Sequence, residues 1–254
     1  MCHDINSAPP IFTTPITTVS SQHITLTSID ATEFSAFLAA PQKSSGVGVV
    51  ILPDIRGLHP FYEQLAVHIA EQGHAAVAID YFGRTAGTAP RDENFSHMEH
   101  IVRVSRQTLD QDILAGADFL RNPHNTVCRS VFALGFCFGG RQAFFASAAR
   151  LGFAGVIGFY GALGPYPNGA AGPLQHAGEL SAPILGLFGG ADHGISETDI
   201  SAFDAALTLS GVVHDFVIYP GAPHSFFDIK YDEHAAACAD SWRRVLTFLA
   251  RRGH

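Results

Sequence analysis

An α/β fold, with a mostly parallel central sheet covered by helices on both faces, is what this sequence predicts. Short, wholly apolar runs alternate with longer stretches of helical periodicity. That alternation is expected of parallel strands joined by crossover helices. A glycine-rich segment, Gly135-Phe136-Cys137-Phe138-Gly139-Gly140, sits where one apolar run gives way to a small-residue helical stretch. The length of 254 residues and a hydrophobic fraction of 47% suit one sizeable core.

The elements follow in order. Residues 23–29 and 33–39 read as a leading hairpin around Asp30-Ala31-Thr32. Gly48–Leu52 is a short buried-type strand ending at Pro53. Pro60 suits a first helical position, with Phe61, Leu65 and Ile69 on one face and Gly73 as the stop. Ala75–Ile79 is the next buried strand. Met98, Val102, Leu109, Ile113, Ala117 and Leu120 mark one long amphipathic helix, closed by Asn122-Pro123. Val131–Leu134 leads into the glycine-rich turn, and 142–149 continues as helix. Gly155–Phe159 and Ile184–Phe188 are short strands. Ser196 and Asp199 form a capping-box pattern before Ile200, Phe203 and Leu207, and Gly211 ends that helix. Val212–Tyr219 is a strand, and Ala235–Leu249 a helix with Cys238, Trp242, Val245 and Leu249 on one stripe. Residues 1–20, rich in Ser, Thr and Pro, are expected to form a surface arm, and 21–254 a single domain. The long loops 81–97 and 161–180 are candidate pocket walls.

Composition excludes several functions. A formal net charge of −8, with no Lys/Arg run, argues against nucleic acid as a partner. No apolar stretch approaches the roughly 18 residues of a membrane helix, so no membrane partner is expected. The N-terminus lacks the basic and apolar regions of a signal peptide. Four cysteines, Cys2, Cys128, Cys137 and Cys238, are too few for a disulfide scaffold at this length, and a reducing cytoplasm fits them. His97 and His100 are spaced H-x-x-H without a nearby third ligand. They read as solvated helix-start residues, and neither metal nor cofactor is expected.

The chemistry centres on Cys137. Strand, G-x-nucleophile-x-G, helix is the layout of a nucleophile elbow. Such a turn needs glycines, because the nucleophile is strained and neighbouring backbone comes close. An acid and a histidine should follow at later strand ends. Gly190-Ala191-Asp192 lies just past strand 184–188, and Pro223-His224 just past 212–219. Cys137, Asp192, His224 is the chain order of an α/β-hydrolase triad.

With these residues in view, the chain resembles the dienelactone hydrolase (carboxymethylenebutenolidase) family. Gly135 to Gly140, Gly190-Ala191-Asp192 and His224-Ser225-Phe226 carry the likeness, and matching spacing runs from about residue 20 to the C-terminus. The resemblance implies an α/β-hydrolase fold, no cofactor and a Cys-His-Asp triad. It also implies a further acid at an earlier strand end, Glu in the family and Asp54 here, that pairs with the resting thiol. Asp54 is one methylene shorter. It either holds or deprotonates Cys137, or merely caps the coming turn. Where the family places a carboxylate-gripping Arg after the catalytic histidine, this chain has Asp228. That substitution speaks against a carboxylate-bearing dienelactone as substrate. Arg56 and Arg84, near strand ends, are candidate anion binders or structural ion-pair partners. Tyr81, Phe82, Tyr160 and Phe226 are candidate apolar pocket edges or ordinary packing.

The expected reaction is hydrolysis of a small-molecule ester or lactone. Cys137 lies at a helix N-terminus, where the dipole favours a thiolate. His224 takes the thiol proton, Asp192 orients His224, and the backbone N–H groups of Phe138 and Ile55 hold the oxyanion. Thiolate is a good leaving group, so activated esters and enol lactones are favoured over amides. The alternatives are an acyltransferase on the same triad, a binding or sensor protein whose Cys137 is an oxidisable thiol, and a metal hydrolase built on His97 and His100.

Overall fold

A computed structural model describes residues 7–10, 12–91 and 94–253. One eight-stranded sheet runs through it in the order β1-β2-β4-β3-β5-β6-β7-β8. β1 (Val19–Thr27) and β2 (Glu33–Pro41) form the antiparallel hairpin. β2 runs antiparallel to β4 (Ala75–Ile79). From there β4, β3 (Val47–Leu52), β5 (Ser130–Phe136), β6 (Gly155–Phe159), β7 (Ile184–Gly189) and β8 (His214–Tyr219) pair in parallel. Every residue of β3, β4, β6 and β7 is buried, as apolar runs covered on both faces must be.

The helices are α1 (Pro60–Glu71), the single turn α2 (Gly83–Ala86), α3 (His97–Ile101), α4 (Arg106–Arg121), α5 (Phe138–Ala146), α6 (Glu197–Leu209) and α7 (Ala235–Arg252). Pro60 opens α1 and Ser196 caps α6, its side chain accepting the Asp199 N–H, as their patterns predict. The long helix expected over 98–120 is instead two, α3 and α4. Ser105 starts the second by accepting the Thr108 N–H at 3.2 Å, while Met98 and Val102 face solvent. The apolar periodicity therefore spans a break at which the chain begins a new N-cap. α5 starts at Phe138, four residues earlier than the helical run from Gln142 suggests.

The segment before β1 is tied to the body. The Trp242 indole N–H donates to Thr13 Oγ1 at 3.0 Å, and the Ile16 N–H to the Glu71 carbonyl at 2.9 Å. Ser7, Pro9 and Pro10 are buried, and the Ile229 N–H donates to Ala8 O. Residues 1–6 and 11 of the expected arm, including Cys2, lie outside the described residues. No described helix is long and apolar enough to cross a membrane.

Candidate active site

Cys137 stands between β5 and α5 with φ 55° and ψ −113°, a conformation non-glycine residues rarely adopt. Such strain costs about 1–3 kcal/mol and persists only where the surroundings enforce it. Here its N–H donates to Phe159 O on the neighbouring strand at 3.0 Å, and its carbonyl accepts the Arg141 N–H at 3.1 Å. The flanking glycines make the turn possible. A Cβ on Gly135 would collide with the Gly139 carbonyl, and one on Gly139 with the carbonyls of Leu52 and Pro53. α5 is thus pressed against the end of β3, which brings the residues after Leu52 beside the elbow.

Asp192 and His224 come from different loops, stitched together by backbone bonds. The Gly190 N–H donates to Tyr219 O at 2.8 Å and the Ala191 N–H to Ala222 O at 2.9 Å. His224 Nδ1 lies 2.6 Å from Asp192 Oδ2, and Asp192 Oδ1 accepts the Gly194 N–H at 2.8 Å. Burial disfavours the charged carboxylate, but the His224 hydrogen bond and charge, with the Gly194 N–H, hold its pKa below the ordinary value. In the neutral ring, an ionised Asp192 keeps the proton on His224 Nδ1, which leaves Nε2 to accept one. The Tyr160 ring packs 5.0 Å from the His224 ring, on a residue with φ 38°.

Asp54 follows β3 and is fully buried. Its carboxylate makes a side-on pair with Arg56, Oδ1 accepting from Nε at 3.3 Å and Oδ2 from Nη2 at 3.1 Å. Oδ1 also accepts the Arg56 backbone N–H at 2.9 Å, closing an Asx turn. Arg56 Nη2 sits 3.0 Å from His59 Nε2. Burial would raise the Asp54 pKa, yet His59 and Arg56 together bring it down to about 2. Arg56 is the cation in hydrogen-bond contact; His59 Nε2 stands 3.7 Å from Oδ2. The hydrogen bonds of Asp54 are those of the turn-capping role. Around it, Tyr62 Oη accepts the Asp54 N–H at 3.0 Å, and Tyr81 Oη donates to Pro53 O at 2.7 Å.

The remaining expected site residues divide clearly. Phe138 directly follows Cys137 and Ile55 follows the β3 end packed against Gly139, and neither backbone N–H has an acceptor among the described residues. Arg84 is occupied by Asp30, at 2.9 Å, and by the buried Asp112, so the structural ion pair is its observed role rather than anion binding. Arg56 is likewise engaged. Phe82 and Phe226 are fully buried among other rings, which is the ordinary-packing role. Tyr81 and Tyr160 are buried as well. Asp228 is buried, its Oδ1 accepting the Lys230 N–H at 3.1 Å.

Sequence reading missed Tyr62, His59, Asp80 and Arg141. Asp80, at the end of β4, accepts the Leu58 N–H at 3.2 Å and pairs with Arg91 at 3.1 Å. Arg141 lies 3.7 Å over the Tyr166 ring and donates to Gly164 O, fastening the 161–172 loop to α5. The aspartate directly after a buried strand and the arginine directly after the elbow glycines were the available signals. His97 and His100 join no cluster suited to a metal among the described residues; His100 stacks on Phe95 at 4.8 Å.

A strained thiol on a strand-to-helix turn of a parallel sheet, with an Asp–His pair on the last two strand ends, defines the α/β-hydrolase class. Residues 34–253 match the model of the Dienelactone hydrolase family. The chain belongs to that family, and it is a carboxylic ester hydrolase of the dienelactone-hydrolase type. It is 33% identical to a carboxymethylenebutenolidase of Rhodococcus opacus over 266 residues, covering 99% of this chain and 97% of the relative. Among solved structures it is similar to a dienelactone hydrolase-like promiscuous phosphotriesterase from metagenomic libraries. That likeness has a TM-score of 0.75 at 22% identity, over 92% of this chain and 98% of the other. It is also similar to an acylaminoacyl peptidase of Pyrococcus horikoshii, with a TM-score of 0.72 at 18% identity, over 92% of this chain but 42% of that one. The latter two likenesses are of fold.

Proposed function

We propose that this hydrolase cleaves activated esters and enol lactones through a thioester on Cys137, and that neutral acyl groups suit it better than carboxylate-bearing dienelactone. The observation that carries the reading is the 2.6 Å His224–Asp192 pair on the strand ends beside a strained cysteine elbow. His224 Nε2 takes the thiol proton, and the thiolate attacks the substrate carbonyl. The Phe138 and Ile55 N–H groups receive the oxyanion. Collapse breaks the carbon–oxygen bond, and the leaving alkoxide or enolate takes its proton from His224. Water then gives a proton to His224 and adds to the thioester, releasing the acid and returning the thiol.

The substrate preference rests on charge. Arg56, Arg84 and Arg91 each face a carboxylate already. Asp228 stands where the resemblance calls for an arginine. A substrate carboxylate would find little compensation for its lost hydration there. The purified protein should hydrolyse a p-nitrophenyl ester, and Cys137→Ala should abolish that turnover; retained turnover would remove Cys137 from the mechanism. In a panel, neutral activated esters should give higher kcat/KM than the dienelactone, and the reverse order would overturn the preference.

A further inference from the structure

We infer that Tyr62, Tyr81 and the Asp54 carboxylate are positioning residues that hold the Ile55 N–H in place to receive the oxyanion. The inference rests on the proposed reading of Cys137 as nucleophile. Its ground is a census of the peptide groups around Ile55. The Pro53 carbonyl accepts from Tyr81 Oη at 2.7 Å. The Asp54 N–H donates to Tyr62 Oη at 3.0 Å. The Asp54 carbonyl accepts the Gly57 N–H at 3.1 Å. The Arg56 N–H donates to Asp54 Oδ1 at 2.9 Å. Among these consecutive groups, the Ile55 N–H alone has no acceptor among the described residues.

Two buried phenols from different elements thus grip the strand end on opposite sides. Tyr62 comes from α1 and Tyr81 from the end of β4. The Asp54 side chain locks the following peptide. Their combined effect is to fix the plane of the Asp54–Ile55 peptide, and hence the direction of its N–H, before substrate arrives. A donor held this way needs no reorganisation when charge develops, which is the condition under which an oxyanion hole accelerates reaction. It also gives Asp54 a task other than the thiol: its carboxylate is spent on Arg56 and the turn.

The test separates oxyanion stabilisation from thiol activation. Tyr62→Phe and Tyr81→Phe remove one hydroxyl each and keep the ring. Each should lower kcat on a p-nitrophenyl ester about tenfold, with KM nearly unchanged. A donor misplaced by a fraction of an ångström costs on that order. Alkylation of Cys137 by iodoacetamide passes through no oxyanion, so its rate and pH profile should stay those of the wild type. Asp54→Asn keeps an oxygen for the Arg56 N–H and should retain most of kcat; Asp54→Ala should lose it. Wild-type kcat in both Tyr→Phe variants would overturn the inference while leaving the nucleophile standing. So would alkylation that slows in step with turnover, or equal losses in Asp54→Asn and Asp54→Ala. Thermal melts of each variant verify folding. If Cys137→Ala stays active, the nucleophile reading itself fails, an outcome distinct from all of these.

Discussion

Asp54 couples the candidate active site to the acid limb of stability. In the folded chain its pKa is about 2, against an ordinary 3.8, because His59 and Arg56 outweigh the cost of burial. A carboxyl depressed on folding contributes stability that is fully present above its unfolded value and is lost as pH falls through the folded one. The difference corresponds to about 2 kcal/mol, lost between about pH 4 and pH 2. Other carboxyls titrate in the same window, so the expected signature is differential. The wild type should lose more thermal stability from pH 5 to pH 2 than Asp54→Asn does. Parallel melting curves for the two proteins would contradict this assignment. At this scale the sequence reaches only part of the site. Cys137, Asp192 and His224 stand out because motif spacing and strand ends mark them. Tyr62 does not, and Tyr81 does so only as an apolar edge, because their hydroxyls matter only once α1 and the end of β4 have been brought against residues 53–54.

Among elements, local signals succeed where one residue fixes the backbone and fail where periodicity carries on past a break. Pro60 and Ser196 mark helix starts that the structure reproduces. The segment from Met98 to Leu120 keeps an apolar period across Val102, yet the chain stops at Ile101 and restarts at Arg106. Ser105 is the deciding residue. Its extended backbone and its bond to the Thr108 N–H supply the cap that α4 requires. Ser105→Ala should therefore lower stability by about 1 kcal/mol, read as a reduced midpoint in urea, while kcat on an activated ester stays unchanged. An unchanged midpoint would mean that α4 is held by Leu109, Ile113 and Leu120 in the core, with no contribution from its cap. Placing the break here from sequence alone would have needed weight on the Ser105-x-x-Thr108 pattern over the apolar stripe.

For the whole molecule, the apolar runs suffice to announce a parallel sheet, because strands buried on both faces have little freedom in composition. They do not reveal which charged residues hold the periphery to it. Arg84 illustrates the difference. Its nearness to a strand end made it a candidate for substrate, but in the fold it ties α2 to two other segments: the β1–β2 turn through Asp30 and Ser28, and α4 through Asp112. Asp112 is almost fully buried, and one of its oxygens, Oδ1, has no hydrogen-bond partner among the described residues. Removing the guanidinium would strand that carboxylate in the interior, and breaking a buried pair in this way costs about 3 kcal/mol. The two roles of Arg84 make opposite forecasts. A substrate-binding arginine, when truncated, raises KM and leaves the fold intact. A tie between segments, when truncated, lowers the denaturation midpoint and leaves the KM for a neutral ester where it was. Arg84→Ala should show the second pattern, with Asp112→Asn in the same background recovering part of the lost stability by removing the stranded charge. A raised KM with an unshifted midpoint would return Arg84 to the substrate.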